Sequence, residues 1–306
     1  MEMFYLIAIF GLIAVAQAAD WGYIDSEEND EGPESWSVNF EACGGKSQSP
    51  IDIVSADLEI DDSLSAFSFQ SYSSESVELK LTNNGHTVNI GLVSGDQLMI
   101  SGGGLPESFL FEQFHLHWGE SNANGSEHTV NGKSYPAEVH LVHRSSKYRT
   151  LGDAVDQPEG LAVLGFFFEI SEEENEVLTP LIDALANVTE AESSQLIPAF
   201  AIESLIADGL GDYVRYSGSL TTPGCFESVI WTVFDTPLKM SDSQIEAFRS
   251  LEDVKSEPMV GNFRPVQNLN ERKVKRYSND QASGASGYSV GLFALPLTMI
   301  VATLKM

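Results

Sequence analysis

Six histidines occur in a chain of 306 residues, and five of them fall between His115 and His143. In Gln113-Phe114-His115-Leu116-His117-Trp118 polar and apolar residues alternate, the pattern of a strand whose successive side chains point to opposite faces. Gln113, His115 and His117 then share one face, and Phe114, Leu116 and Trp118 the other. Two imidazoles at i and i+2 can meet a single metal ion. A second stretch, Glu138-Val139-His140-Leu141-Val142-His143, sets Glu138, His140 and Val142 against Val139, Leu141 and His143. If the two strands are neighbours, His115, His117 and His140 converge. Three neutral imidazoles suit Zn2+ and leave a fourth position for water. A ligating histidine passes its second N–H to an acceptor. Gln113 and Glu138, each two residues before a ligand and in phase with it, are placed to accept. His143, out of phase with His140, reads as a core histidine.

The elements that must position these residues are mostly strands. Val77, Leu79 and Leu81 alternate with Glu78 and Lys80; Asn83-Asn84-Gly85 makes a turn, and Val88, Ile90 and Leu92 resume the alternation. Leu161 to Phe168 is nearly all apolar and of strand length, as for a strand buried on both faces. Helices are fewer. Leu178, Leu181, Ile182 and Leu185 predict one over Asn175–Val188, and Ser241-x-x-Gln244 is a capping box opening another with Ile245, Phe248 and Leu251 on one face.

Sixteen Lys and Arg against 45 Asp and Glu leave a formal charge of −29, which excludes nucleic acid as a partner, since phosphate binding needs a basic face. With 42% hydrophobic residues the chain is not disordered. The acidic runs Asp25–Glu34 and Glu172–Glu176 read as solvated surface, with calcium or mineral binding as the sharper alternative; neither has the spacing of a defined calcium loop. The apolar run Phe4–Val15 followed by Ala16-Gln17-Ala18 reads as a secretory signal peptide, residues 1–18, although its first residues lack Lys or Arg. Residues 278–306 combine the small-residue stretch Ala282–Gly287 with an apolar tail, the form of a lipid-anchor signal, with Asn279 and Asp280 as rival attachment points to Ser283. A short membrane span is the other reading of that tail. Between these ends, residues 19–277 form one domain. In a secreted chain the two cysteines, Cys43 and Cys225, are expected to be bridged. Sequons at Asn124 and Asn187 are candidate glycosylation sites.

Read in order, several stretches resemble the alpha-class carbonic anhydrases of the secreted or glycolipid-anchored extracellular type. They are Gln48-Ser49-Pro50-Ile51-Asp52, Asn83-Asn84-Gly85-His86, Gln113 to Trp118, Gly125 to Val130, Glu138 to His143, Gly160 to Gly165, Tyr216 to Pro223 and Asn262-Phe263-Arg264-Pro265. The resemblance spans Trp21 to Arg276. It implies a strand-dominated mixed α/β domain around a large, mainly antiparallel twisted sheet with short peripheral helices. It implies reversible hydration of carbon dioxide to bicarbonate and a proton, by hydroxide held on zinc by His115, His117 and His140. Gln113 and Glu138 would support the ligands. Thr221 would donate to Glu127 and orient the attacking oxygen. Val142, Val163, Leu220, Thr222, Val229 and Trp231 would form the substrate pocket. His86 would shuttle the proton through waters ordered by Tyr23, Asn84 and Asn89, and Cys43 would bridge to Cys225. Ser217 before Gly218, and Gly224 after Pro223, depart from the family pattern, outside the residues proposed to act. All three ligands, Thr221 and Glu127 are intact, which disfavours a non-catalytic binding module on the same fold.

Overall fold

The computed structural model describes residues 21–24 and 31–279. The signal peptide, nearly all of the C-terminal segment and much of the Asp25–Glu34 run lie outside the described residues. Among the described residues no helix is long and apolar enough to cross a membrane.

Twelve strands of the described residues form one sheet. From one edge the main path runs Ser194–Ile197, Val77–Asn83, Val88–Gly95, Phe109–Trp118, Ala137–Ser145, Leu161–Ser171, Val229–Ser241, Tyr213–Gly218, Lys275–Tyr277 and Glu59–Ile60. Leu161–Ser171 pairs in parallel with Val229–Ser241, as does Lys275–Tyr277 with Glu59–Ile60. The other ladders of this sheet are antiparallel.

Patterning explains the sheet. Val77, Leu79 and Leu81 are buried and Glu78 and Lys80 exposed, as alternation requires. Leu161 to Phe168 is buried throughout because the sheet separates two apolar clusters. Ala162, Leu164, Phe166 and Phe168 face the larger, while Leu161, Val163 and Phe167 face the smaller. Each of these leucine, valine and phenylalanine side chains contributes about 1.5–3 kcal/mol by burial. The turn after Asn83 is held by its asparagines: Gly85 N donates to Asn83 Oδ1, and the His86 and Thr87 amides donate to Asn84 Oδ1. Gly85 takes φ +79°, where a side chain would be strained.

The helices are shorter than the periodicity predicts. Over Asn175–Val188 a 3-10 turn, Glu176–Leu178, precedes an α-helix confined to Thr179–Leu185. Pro180 has no amide proton to donate, so it begins a helix and cannot continue one. The capping box forms in both halves, Gln244 N donating to Ser241 Oγ and Ser241 N to Gln244 Oε1. Its helix, Asp242–Arg249, buries Ile245 and Phe248; Leu251 is buried just past its end. Cys43 and Cys225 form the expected bridge, packed with Trp36 in a third cluster that includes Trp21 and Tyr23.

His143 lies in the larger core, as its phase requires, its Nδ1 donating to Ala162 O and its Nε2 meeting the Tyr72 hydroxyl. Burial pushes its pKa down to about 3. Between the ordinary value near 6.5 and about 3, the unfolded chain binds a proton that the folded one does not. Stability should therefore fall as pH drops through that window, by up to about 1.4 kcal/mol per unit. Urea unfolding at pH 7, 6 and 5 should show a shallower fall for His143→Phe than for the parent protein; identical slopes would refute the assignment.

Candidate metal centre

The two histidine strands are neighbours in the sheet, and their register puts His115 directly opposite His140 and His117 opposite Glu138. A β-bulge at Glu112 makes this possible. Phe109 and Phe111 face the larger core, and so do Phe114, Leu116 and Trp118, although an uninterrupted strand would send the two sets to opposite faces. The extra residue resets the phase, turning His115 and His117 to the other face. Glu112 itself pairs with Arg144 on the adjacent strand.

Each imidazole has one nitrogen committed. His115 Nδ1 donates to Gln113 Oε1 at 3.0 Å, His117 Nδ1 to the backbone oxygen of Asn262 at 2.7 Å, and His140 Nε2 to Glu138 Oε1 at 2.8 Å. That leaves Nε2 of His115 and His117 and Nδ1 of His140 to face a common ion, within a group whose ligand atoms lie within 4.8 Å of one another. His117 Nε2 is buried and makes no hydrogen bond. Burial, with repulsion from the two neighbouring rings, holds His115 well below the usual imidazole range; burial lowers His117 too. Neutral lone pairs on three convergent rings are what a zinc ion takes as ligands, so the residues present fit the metal.

Glu127 stands beside this group, its Oε2 3.4 Å from His117 Nε2 and 3.8 Å from His140 Nδ1. Its Oε1 accepts from the Arg264 amide, while Oε2 is buried without a hydrogen-bond partner. Thr221 is buried on the loop after Tyr213–Gly218. Val142, Val163, Val229 and Trp231 belong to the smaller cluster, with Leu220 packed against it, on the face His140 occupies. Trp231 presents its ring edge-to-face to His140 at 4.7 Å. Thr222 is half-buried, its backbone oxygen accepting from the Cys225 amide.

His86 is half-buried at the turn, its ring stacked on Trp21 at 3.8 Å. Burial lowers its pKa, and Asp253 and Glu192 pull it back up. Tyr23 has a buried hydroxyl with no partner, and Asn89 is the register partner of His115. Asn84 is exposed, its Oδ1 engaged by the turn amides. Asn124 and Asn187 are exposed.

Four residues of the quoted stretches acquire roles that spacing alone does not reveal. Asn262 takes the His117 proton on its carbonyl, accepts from Trp118 N and donates to His86 O, tying ligand strand to turn. Arg264 is buried and donates to Gln48 Oε1, Ser49 O and Cys43 O. His128 lies against Glu138. Gly165, the register partner of His140, leaves the space Glu138 uses: a Cβ there would stand 3.2 Å from Glu138 Oε1.

A strand-borne group of three histidines, each buttressed by an acceptor and lying beside an apolar wall, is a group that could hold a metal ion. The family model for eukaryotic-type carbonic anhydrases matches residues 31–278, and the chain belongs to that family. It is 37% identical to human carbonic anhydrase 12, over 91% of this chain and 79% of that protein. It is 40% identical to mouse carbonic anhydrase 7, over 83% and 96%, and 36% identical to rat carbonic anhydrase 4, over 98% and 96%. The chain is thus a carbonic anhydrase, an enzyme interconverting carbon dioxide and bicarbonate.

Proposed function

We propose that the chain hydrates carbon dioxide as a zinc enzyme, with His115, His117 and His140 as the ligands and His86 as the proton shuttle. The observation that carries this reading is the convergence of three imidazoles, each with its second nitrogen committed to an acceptor. Zinc, when bound, supplies the Lewis acidity that makes a water molecule a nucleophile at neutral pH. Gln113, Asn262 and Glu138 hold a proton on the outer nitrogen of each ring and so keep the inner lone pair turned to the metal. Glu127 offers its open Oε2 to the hydroxyl of Thr221; donating there leaves Thr221 an acceptor only, which orients the attacking oxygen toward the substrate. Val142, Val163, Leu220, Val229 and Trp231, with Thr222 at the rim, receive an apolar molecule and exclude competing water.

Hydration releases a proton that has to leave. His86 takes it from water ordered by Tyr23, Asn84 and Asn89 and passes it to buffer. His86→Ala should lower turnover about 10²-fold in dilute buffer, and added imidazole should restore most of it. Turnover unchanged in dilute buffer would remove His86 from the path.

The same reading makes the protein a secreted one, with a signal peptide over 1–18, a catalytic domain over 19–277 and a lipid anchor added within 278–306. The Cys43–Cys225 bridge and the exposure of Asn124 and Asn187 support it. Stopped-flow CO2 hydration by purified residues 19–277, with and without a chelator, tests the catalytic part. A rate far above background that vanishes with the metal is expected; a background rate from folded, zinc-loaded protein would overturn it.

A further inference from the structure

Resting on the anchored reading above, we infer that the bond between Arg276 and Tyr277 is a processing site for an endoprotease of basic-pair specificity, which would cut the catalytic domain from its anchor. The edge strand Glu59–Ile60, with Asp61, is the strap that masks it. Four of the chain's 16 Lys and Arg lie in Arg272-Lys273-Val274-Lys275-Arg276, which holds both of its adjacent basic pairs. In a chain of formal charge −29 this concentration falls where the family match, residues 31–278, ends. A cut after Arg276 places basic residues first, second, fourth and fifth before the bond. Water is added across the amide, leaving a carboxylate on Arg276 and an amine on Tyr277, and the protease supplies the catalytic groups.

Such proteases take their substrate as an extended strand, holding it by main-chain hydrogen bonds and by acidic pockets for the basic side chains. The segment is already extended, since Lys275–Tyr277 lies between Tyr213–Gly218 and Glu59–Ile60. Its outer neighbour does to it what a protease must do. The Glu59 amide donates to Val274 O at 3.0 Å, and the Asp61 amide to the scissile carbonyl, Arg276 O, at 3.1 Å. Glu59 Oε1 lies 2.9 Å from Lys273 Nζ, and Asp61 Oδ2 2.6 Å from Lys275 Nζ. Strap and protease therefore compete for the same carbonyl and ammonium groups and cannot both be seated. Arg276 is held separately, by Asp212 Oδ2 at 3.2 Å and Asp235 Oδ2 at 2.5 Å, carboxylates that a protease's first pocket would replace.

The strap is built to open. Its strand is two residues long, both exposed, and it is the last on the sheet's main path, so its outer edge has no ladder partner among the described residues. Elements with so few contacts open at far less than the cost of global unfolding. The side chains of Lys273 and Lys275 are already 68% and 49% exposed. Lifting the strap is what frees the scissile carbonyl.

When opening is fast relative to cutting, the rate of cleavage tracks the open population. Glu59→Gln/Asp61→Asn removes two exposed ion pairs and keeps the ladder, so cutting after Arg276 is expected about fivefold faster than in the parent protein. Cells displaying the full chain are treated with a soluble kexin-type endoprotease. Release into the medium is followed by immunoblot, and the new C-terminus is read by mass spectrometry. Glu169→Gln, which breaks the exposed Lys239–Glu169 contact elsewhere in the sheet, is the control for a general loss of stability. A product ending at Arg276, released faster from the double variant, at near-parental rate from Glu169→Gln and not at all from Arg276→Gln, supports the inference. No product ending at Arg276, a parental rate in the double variant, or equal acceleration in Glu169→Gln overturns it. Parent protein in the medium before protease is added would instead sink the anchored reading, and mass spectrometry of that soluble protein still decides whether Arg276–Tyr277 is cut.

Discussion

His117→Ala is expected to bind no stoichiometric zinc and to hydrate CO2 at least about 10³-fold more slowly than the parent protein, because the metal's effect on water is lost with it. Of the three rings His117 is the most telling. It is 0% exposed, its Nε2 has no hydrogen-bond partner, and its Nδ1 proton is spent on Asn262 O. A buried lone pair without a partner has its desolvation cost offset only by what it is meant to bind. Truncation also strands the Asn262 carbonyl, at a cost of about 1–3 kcal/mol, which a domain of this size survives. Zinc content by plasma emission and stopped-flow hydration on the same folded sample decide the matter. One zinc per chain with activity within tenfold of the parent would sink the ligand assignment.

The second large effect is on stability. Cys43 and Cys225 are 182 residues apart, so their bridge closes most of the described chain into a loop. In the chain-entropy account a loop of that length restricts the unfolded state by about 5 kcal/mol, and measured losses of native bridges run at about 2–5 kcal/mol. Cys43→Ser/Cys225→Ser should therefore lose about 3–5 kcal/mol in urea unfolding, a large fraction of a domain's stability. Its m-value should rise as the unfolded chain expands. A loss below about 1 kcal/mol would show that the neighbouring contacts, among them the Arg264 guanidinium on Cys43 O and Gln48 Nε2 on Cys225 O, hold these segments without the bridge.

Much of the site is legible in the sequence because a strand has a period of two. From Gln113 to Trp118 and from Glu138 to His143, alternation alone separates ligands and their acceptors from core residues, and the packing agrees: Phe114, Leu116, Trp118, Val139 and Leu141 lie in the larger apolar cluster, and Val142, in phase with His140, in the smaller. It correctly sends His143 to the core. The same rule fails one turn of the pleat earlier: Phe109 and Phe111 are in the phase of His115 and His117 yet face the core, because Glu112 is bulged. Helix extent is less legible over Asn175–Val188, where apolar spacing continues through Pro180 and only the backbone's need for an amide proton stops it. The third acceptor was hidden for another reason. It is the main-chain oxygen of Asn262, 145 residues from the ring it serves, and every residue type carries such an oxygen.

The sequence by itself determined which residue types face which way along each strand, the family to which they belong and the pair of cysteines available to bridge, since these depend on local periodicity and on ordered motifs. The tertiary structure alone decided that His115 stands opposite His140, that a bulge turns His115 and His117 out of the core, and that the Asn262 carbonyl accepts from His117. Register and long-range partners follow from how the two apolar clusters close around the sheet, a property of the whole chain that no short stretch of it encodes.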